Sequence, residues 1–219
     1  TKHFKIQKIH VKRAHVLNKV CTLLNDSGML PAIVFVFSRK QIVEYARELT
    51  VNLSSGAEAP ANIEKECENI LRRLPNFKEY LFLSEYVELV DLLKKGIAFH
   101  HGGMLAILRE MVEIMFVRGH IKVLFATETF AVGINLPVKT AIFTQVTKFT
   151  DGQVRALFSH EYTQMAGRAG RRGIDTVGNV IHLINLYRFG SDVTTTDMRT
   201  IMSDKPQTLT SKFRISYNW

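Results

Sequence analysis

Apolar residues along this chain fall into two spacings. In "KRAHVLNKVCTLLND" (12–26) they recur every three or four positions, which predicts a helix, with Gly28 as its stop and Pro31 beyond. "AIVFVFS" (32–38) is then a continuous apolar run of β-branched and aromatic residues, the signature of a strand buried on both faces. Ser38 stands at the N-cap position of a following helix, "RKQIVEYARELT". Residues 51–61 turn small and polar and read as a surface loop. Residues 62–95 read as amphipathic and helical, interrupted near Pro75. "KGIAFHHGG" predicts a short strand running into a glycine turn, and "MLAILREMVEIMFVRGH" a strongly apolar helix. "IKVLFAT" and "KTAIFTQ" predict two more strands, "FSHEYTQMAGRAGRRG" a helix with Ser159 as its cap, and "GNVIHLIN" a last strand.

Strands that alternate with helices imply βαβ units. The expected fold class is therefore α/β, a mostly parallel sheet with helices on both faces. Ligands of such sheets gather beyond the carboxyl ends of the strands. Three segments fall there: Ser38-Arg39, His101-Gly102-Gly103 and Thr127-Glu128-Thr129.

Composition adds the charge of the partner. The chain has 219 residues, 46% of them hydrophobic, which is enough for a real core and excludes disorder as the overall state. The formal net charge is +9, which favours a polyanion, nucleic acid before acidic membrane. No apolar run approaches the roughly 20 residues of a membrane span, so no membrane partner is expected. Two cysteines, Cys21 and Cys67, build no disulfide framework and point to a reducing compartment, cytoplasm or nucleus.

The densest chemistry lies in "YTQMAGRAGRRGID" (162–175), with three arginines and three glycines between Gly167 and Gly173. On a helix turning about 100° per residue, Gln164, Arg168 and Arg171 fall within about 60° of one another. Such a stripe presents an amide and two guanidiniums, a fork suited to phosphate. Arginines placed this way stabilise charge developing in phosphoryl transfer, and the amide of Gln164 can orient an attacking water. The spacing G-x-x-G-x-x-G, not preceded by a strand, is not the dinucleotide fingerprint.

"QMAGRAGRRG" resembles motif VI of superfamily-two helicases, in the form found in the superkiller-type DExH-box RNA helicases, which include the RNA-exosome cofactors. "AIVFVFSRK" looks like motif IV, and residues 96–137 look like motif IVa running into motif V. The final "DKPQTLTSKFRISYNW" resembles the start of the segment leading to a winged-helix region. Two positions depart from the pattern: the family commonly has proline where Ala106 stands and serine where Gly102 stands. Neither a P-loop nor a DExH box is present. The resemblance is thus to the second RecA-like lobe alone, over residues 1–203 with a helical insertion at about 60–95, and to the start of the connector over 204–219.

The resemblance implies the following roles. Arg171, Arg168 and Gln164 serve catalysis on the ATP side, with Arg171 the nearer finger. Gly133, Glu128 and Asn135 face the nucleotide, and Glu128 can accept a ribose hydroxyl. Ser38, Arg39, His101, Gly102, Gly103 and Thr127 grip the RNA backbone. ATP and Mg2+ are the implied cofactors, the metal held mainly by the first lobe; this chain is expected to hold no metal of its own. The implied partners are single-stranded RNA or an RNA duplex with a 3′ tail, the first RecA-like lobe, and an RNA-decay complex. A DNA helicase of the same superfamily shares these motifs, and a RecA-like binding module without catalysis shares the fold.

Overall fold

The computed structural model describes residues 12–54, 59–133, 136–150, 152–183 and 194–203. Five strands form one sheet: β1 (Ala32–Phe35), β2 (Ile97–His100), β3 (Val123–Ala126), β4 (Thr140–Phe143) and, later in the chain, β7 (Asn179–His182). Their order is β2-β3-β1-β4-β7 and every pairing is parallel. The first four strands are buried at every position, as their unbroken apolar runs require when helices cover both faces. β7 forms a partly exposed edge.

The crossovers are helical, as parallel strands demand. α1 (Arg13–Asp26) precedes β1. α2 (Arg39–Glu48), α3 (Ala59–Leu71), the single turn α4 (Phe77–Tyr80) and α5 (Ser84–Leu93) lie between β1 and β2. α6 (Ala106–Val117) joins β2 to β3, and α7 (Glu128–Gly133) follows β3. An antiparallel hairpin, β5 (Thr147–Thr150) with β6 (Gln153–Ala156), leads into α8 (Ser159–Ala166), and α9 (Thr195–Ser203) packs against α8. The fold is the expected α/β, RecA-like class. The expected break near Pro75 separates α3 from α4.

Register lines the strand ends up. Phe35 stands opposite Ala126 and Phe143, His100 opposite Ala126, and Phe143 opposite His182. The residues that follow therefore emerge along one edge of the sheet. Ser38-Arg39, His101-Gly102-Gly103 and Thr127-Glu128 leave three strands that are neighbours in space, β1, β2 and β3.

Candidate functional site

Two groups of side chains stand out, one on that edge and one whose loop lies at the opposite, amino ends of β4 and β7. The first surrounds the end of β2. The backbone N–H of Gly103 donates to His101 Nδ1 at 3.1 Å, so the ring proton sits on Nε2, the nitrogen left to donate to a ligand. The imidazole stacks on Phe99 at 5.9 Å between ring centres. Burial and then the nearby charge of Arg39 push the His101 pKa down, which keeps the ring neutral at pH 7. Arg39 is exposed in the first turn of α2, and its guanidinium reaches the glycine turn: a Cβ at Gly102 would lie 3.9 Å from Arg39 Nη2. Arg39, His101, Gly102 and Gly103 are thus brought together.

Ser38 is the N-cap of α2, and its hydroxyl accepts weakly from the Gln41 N–H at 3.5 Å. Thr127 is 9% exposed and its hydroxyl pairs with that of Thr129 at 2.7 Å. His100 turns away from His101. Its Nε2 lies 3.1 Å from Glu113 of α6, and its ring meets Phe130 edge-on.

The second group is built on α8 and the loop after it. Tyr162 and Met165 form the buried face of this helix. Tyr162 lies against Phe143 and His182, with ring centres 5.0 and 5.7 Å away, which docks the helix at the β4–β7 end of the sheet. Thr163 and Gln164 are on the outer, exposed face.

The arginine segment is not helical, and this corrects the predicted stripe. The helix stops at Ala166, with Gly167 as its C-cap. The chain then becomes a short extended piece paired in parallel with Val138: the Val138 N–H donates to Arg168 O at 3.0 Å, and the Gly170 N–H donates to Val138 O at 2.7 Å. Gly170 has φ +91°, a left-handed conformation in which a side chain is strained. Gln164 therefore projects from a helix while Arg168 and Arg171 project from a loop, so their relative placement is set by tertiary pairing and not by helical period.

A turn closes over residues 171–175, with the Asp175 N–H donating to Arg171 O at 2.9 Å. Its carboxylate folds back onto Arg171. It accepts from the Arg171 backbone N–H at 3.0 Å, from Nε at 2.7 Å and from Nη2 at 2.9 Å. The Arg171 side chain stays 28% exposed while that of Asp175 is 5% exposed. Hydrogen bonding from Arg171 carries the Asp175 pKa down to about 2.

A charge cluster ties the hairpin to both neighbouring helices. Glu161 accepts two N–H groups of Arg155, both at 2.8 Å, and lies 2.6 Å from Lys148 Nζ. It also accepts from the Phe158 N–H at 2.9 Å, which closes the first turn of α8. Lys148 reaches on to Glu128 at 3.6 Å. Burial raises the Glu161 pKa, but the hydrogen bonds from Arg155, Lys148 and Phe158 outweigh it and bring it to about 2. A carboxyl depressed this way stabilises the fold above its unfolded pKa of about 4.3, and that contribution disappears as pH falls from there through about 2. Glu161→Gln is expected to destabilise the protein by about 1–3 kcal/mol at pH 7 and to flatten the acid limb of its stability curve. Melting temperatures from pH 7 down to pH 3 measure this; parallel curves for variant and parent would contradict it.

Gly133 is the last residue of α7, and Asn135 lies outside the described residues, as do 204–219. Among the described residues, no group of three or more His, Cys, Asp or Glu side chains is placed to hold a cation, and no helix is long and apolar enough to cross a membrane.

Comparison with known proteins decides the family. Residues 62–173 match the helicase conserved C-terminal domain. The chain belongs to that family. It is 41% identical over 201 residues to the antiviral helicase SKI2 of Saccharomyces cerevisiae, covering 91% of this chain and 15% of that protein. It is 38% identical over 200 residues to the exosome RNA helicase MTR4 of Homo sapiens, covering 91% of this chain and 18% of that protein. The DExH-box ATP-dependent RNA helicase DExH11 of Arabidopsis thaliana is 39% identical over 195 residues, 89% of this chain and 14% of that protein. The chain thus spans less than a fifth of the length of these relatives.

Within this helicase C-terminal domain, sequence reasoning missed Asp175, Glu161, Lys148 and Gly178. Asp175 carried a signal, an acidic residue four positions after an arginine. Gly178 carried none, because its importance comes from what lies across from it: a Cβ there would fall 2.5 Å from the carbonyl carbon and oxygen of Ala169.

Proposed function

We propose that this chain is the second motor lobe of an ATP-dependent RNA helicase. Its loop arginines complete an ATP site whose P-loop and Mg2+ belong to a first lobe, and its strand ends hold the RNA backbone. The observation that carries the reading is the Arg168–Asp175 loop: its backbone is fixed by pairing with Val138, and one partly exposed guanidinium is held in a defined orientation at its tip. A cation kept ready in this way suits charge that develops on a transferring phosphoryl group. The names of the relatives agree with it: all three are helicases, two are named RNA helicases, and one of those is named ATP-dependent.

We assign the roles as follows. Arg171 and Arg168 face the nucleotide, with Gln164 on the adjacent helix orienting water. Glu128, Gly133 and Asn135 are assigned to the nucleotide as well. Arg39, the Nε2–H of His101, the open backbone at Gly102 and Gly103, and the hydroxyls of Ser38 and Thr127 contact phosphate and sugar. Contacts of that kind hold a strand without reading its sequence. ATP binding draws the two lobes together, hydrolysis releases them, and the strand advances 3′ to 5′. The setting we propose is an RNA-decay complex in the cytoplasm or nucleus; the names of two relatives refer to a superkiller complex and to the exosome.

The chain by itself is expected to hydrolyse no ATP, with or without RNA. The full-length protein is expected to turn over ATP when RNA is added, and to unwind a 3′-tailed RNA duplex faster than the matching DNA duplex. Robust turnover by the isolated 219 residues would refute the assignment. Equal or faster unwinding of DNA would move the protein to the DNA-acting branch.

A further inference from the structure

Asp175 occupies a position that the proposed chemistry does not by itself require. Its carboxylate takes three hydrogen bonds, all from Arg171: backbone N–H, Nε and Nη2, at 3.0, 2.7 and 2.9 Å. This is a side-on pair, and it leaves Nη1 with no hydrogen bond among the described residues. The long arginine side chain, otherwise free to sample many rotamers, is fixed at both its root and its head by one carboxylate. The Asp175 side chain is the less exposed member of the pair, at 5% against 28% for the arginine, so the guanidinium is the member offered outward.

We propose that Asp175 is a positioning residue for phosphoryl transfer: it holds the Arg171 guanidinium side-on so that the Nη1 edge faces the γ-phosphate when the lobes close. The inference rests on the reading of Arg171 as a phosphate-contacting arginine. A preset donor contributes most where charge develops in the transition state, and least to the binding of ground-state ATP. The pair persists across assay conditions, because the depressed carboxyl stays ionised at any pH well above about 2. The hydrogen bonds to Asp175 also raise the Arg171 pKa, so its charge is never in question.

The test uses the full-length protein with saturating RNA and compares Asp175→Asn, Arg171→Ala and the double variant. Asp175→Asn is expected to lower kcat by about 10–100-fold with the KM for ATP within about threefold and the melting temperature nearly unchanged. In the Arg171→Ala background, measured with radiolabelled ATP, the same substitution is expected to change the residual rate less than about twofold, since a group acting through Arg171 has nothing left to position. A kcat for Asp175→Asn equal to the parent overturns the proposal, and so does an undiminished further loss on top of Arg171→Ala, which is the mark of a merely structural role. Full turnover by Arg171→Ala instead removes the phosphate-contacting reading itself. Should Asp175→Asn prove too unstable to purify, Asp175→Glu carries the test. It keeps the charge and displaces the guanidinium by one methylene, so kcat is expected to fall at least tenfold, and a parental kcat again overturns the proposal.

Discussion

Arg171→Ala in the full-length protein is expected to lower RNA-stimulated ATP turnover by about 10³-fold or more, the magnitude of an arginine finger. The loop that carries Arg171 does not depend on its side chain. It is held by the Val138 pairing on one side and by the 171–175 turn on the other, through backbone hydrogen bonds that alanine keeps. The side chain is partly exposed, its one ion pair among the described residues is with Asp175, and that carboxylate keeps the backbone N–H of residue 171, so its removal should shift stability by no more than about 1 kcal/mol. The loss should therefore appear in kcat, with KM for ATP and the melting temperature close to those of the parent. Arg171→Lys should recover little, because an ammonium cannot engage a carboxylate side-on and present a second donor edge at once. Steady-state kinetics on the two variants, with a thermal melt as control, measure both points. Turnover within about threefold of the parent for Arg171→Ala would move the role to Arg168.

The same loop shows how far the sequence could be read. All five strands of the main sheet were legible; four are buried on two faces and are written as mostly unbroken apolar runs such as "AIVF" or "VLFA". The hairpin β5–β6 was not legible. Its strands, "TKFT" and "QVRA", are half polar, and their facing apolar pair, Phe149 and Val154, points to solvent at 72% and 70% exposure. Neither helical nor buried-strand patterning applies to such a segment. The chemistry of the arginine segment was visible in its residues, but its geometry was not. Alanine and arginine favour helix, so the local signal ran on to Gly173, while the break is made by pairing with Val138, about thirty residues upstream. The strand-end group fared better. The ends of parallel strands align by register alone, so placing the strands placed Arg39, His101, Gly102 and Thr127 on one edge.

Gly178→Ala is expected to be the most damaging substitution for the fold of the site that leaves every charged residue in place. A Cβ at Gly178 would sit 2.5 Å from both the carbonyl carbon and oxygen of Ala169, and 2.7 Å from the Gly170 nitrogen. These are backbone atoms and cannot swing aside. The Ala169–Gly170 segment is pinned by hydrogen bonds to Val138, and β7 is pinned by the Asn179 N–H to Lys139 O bond at 3.0 Å. One of the two pairings must open. The expected loss is about 2–4 kcal/mol, at or above the upper end for overpacking, together with a fall in ATP turnover because Arg168 and Arg171 lose their platform. Gly119→Ala is the contrasting control. Gly119 has a left-handed φ of +80° just beyond α6, which Gly178 does not, but a Cβ there meets nothing within 4 Å. It should show backbone strain alone, about 1–2 kcal/mol, with turnover per folded molecule unchanged. If Gly178→Ala proves as stable and as active as Gly119→Ala, the close approach of β7 to the arginine loop does not hold that loop in place, and its geometry must be maintained by the Val138 pairing alone.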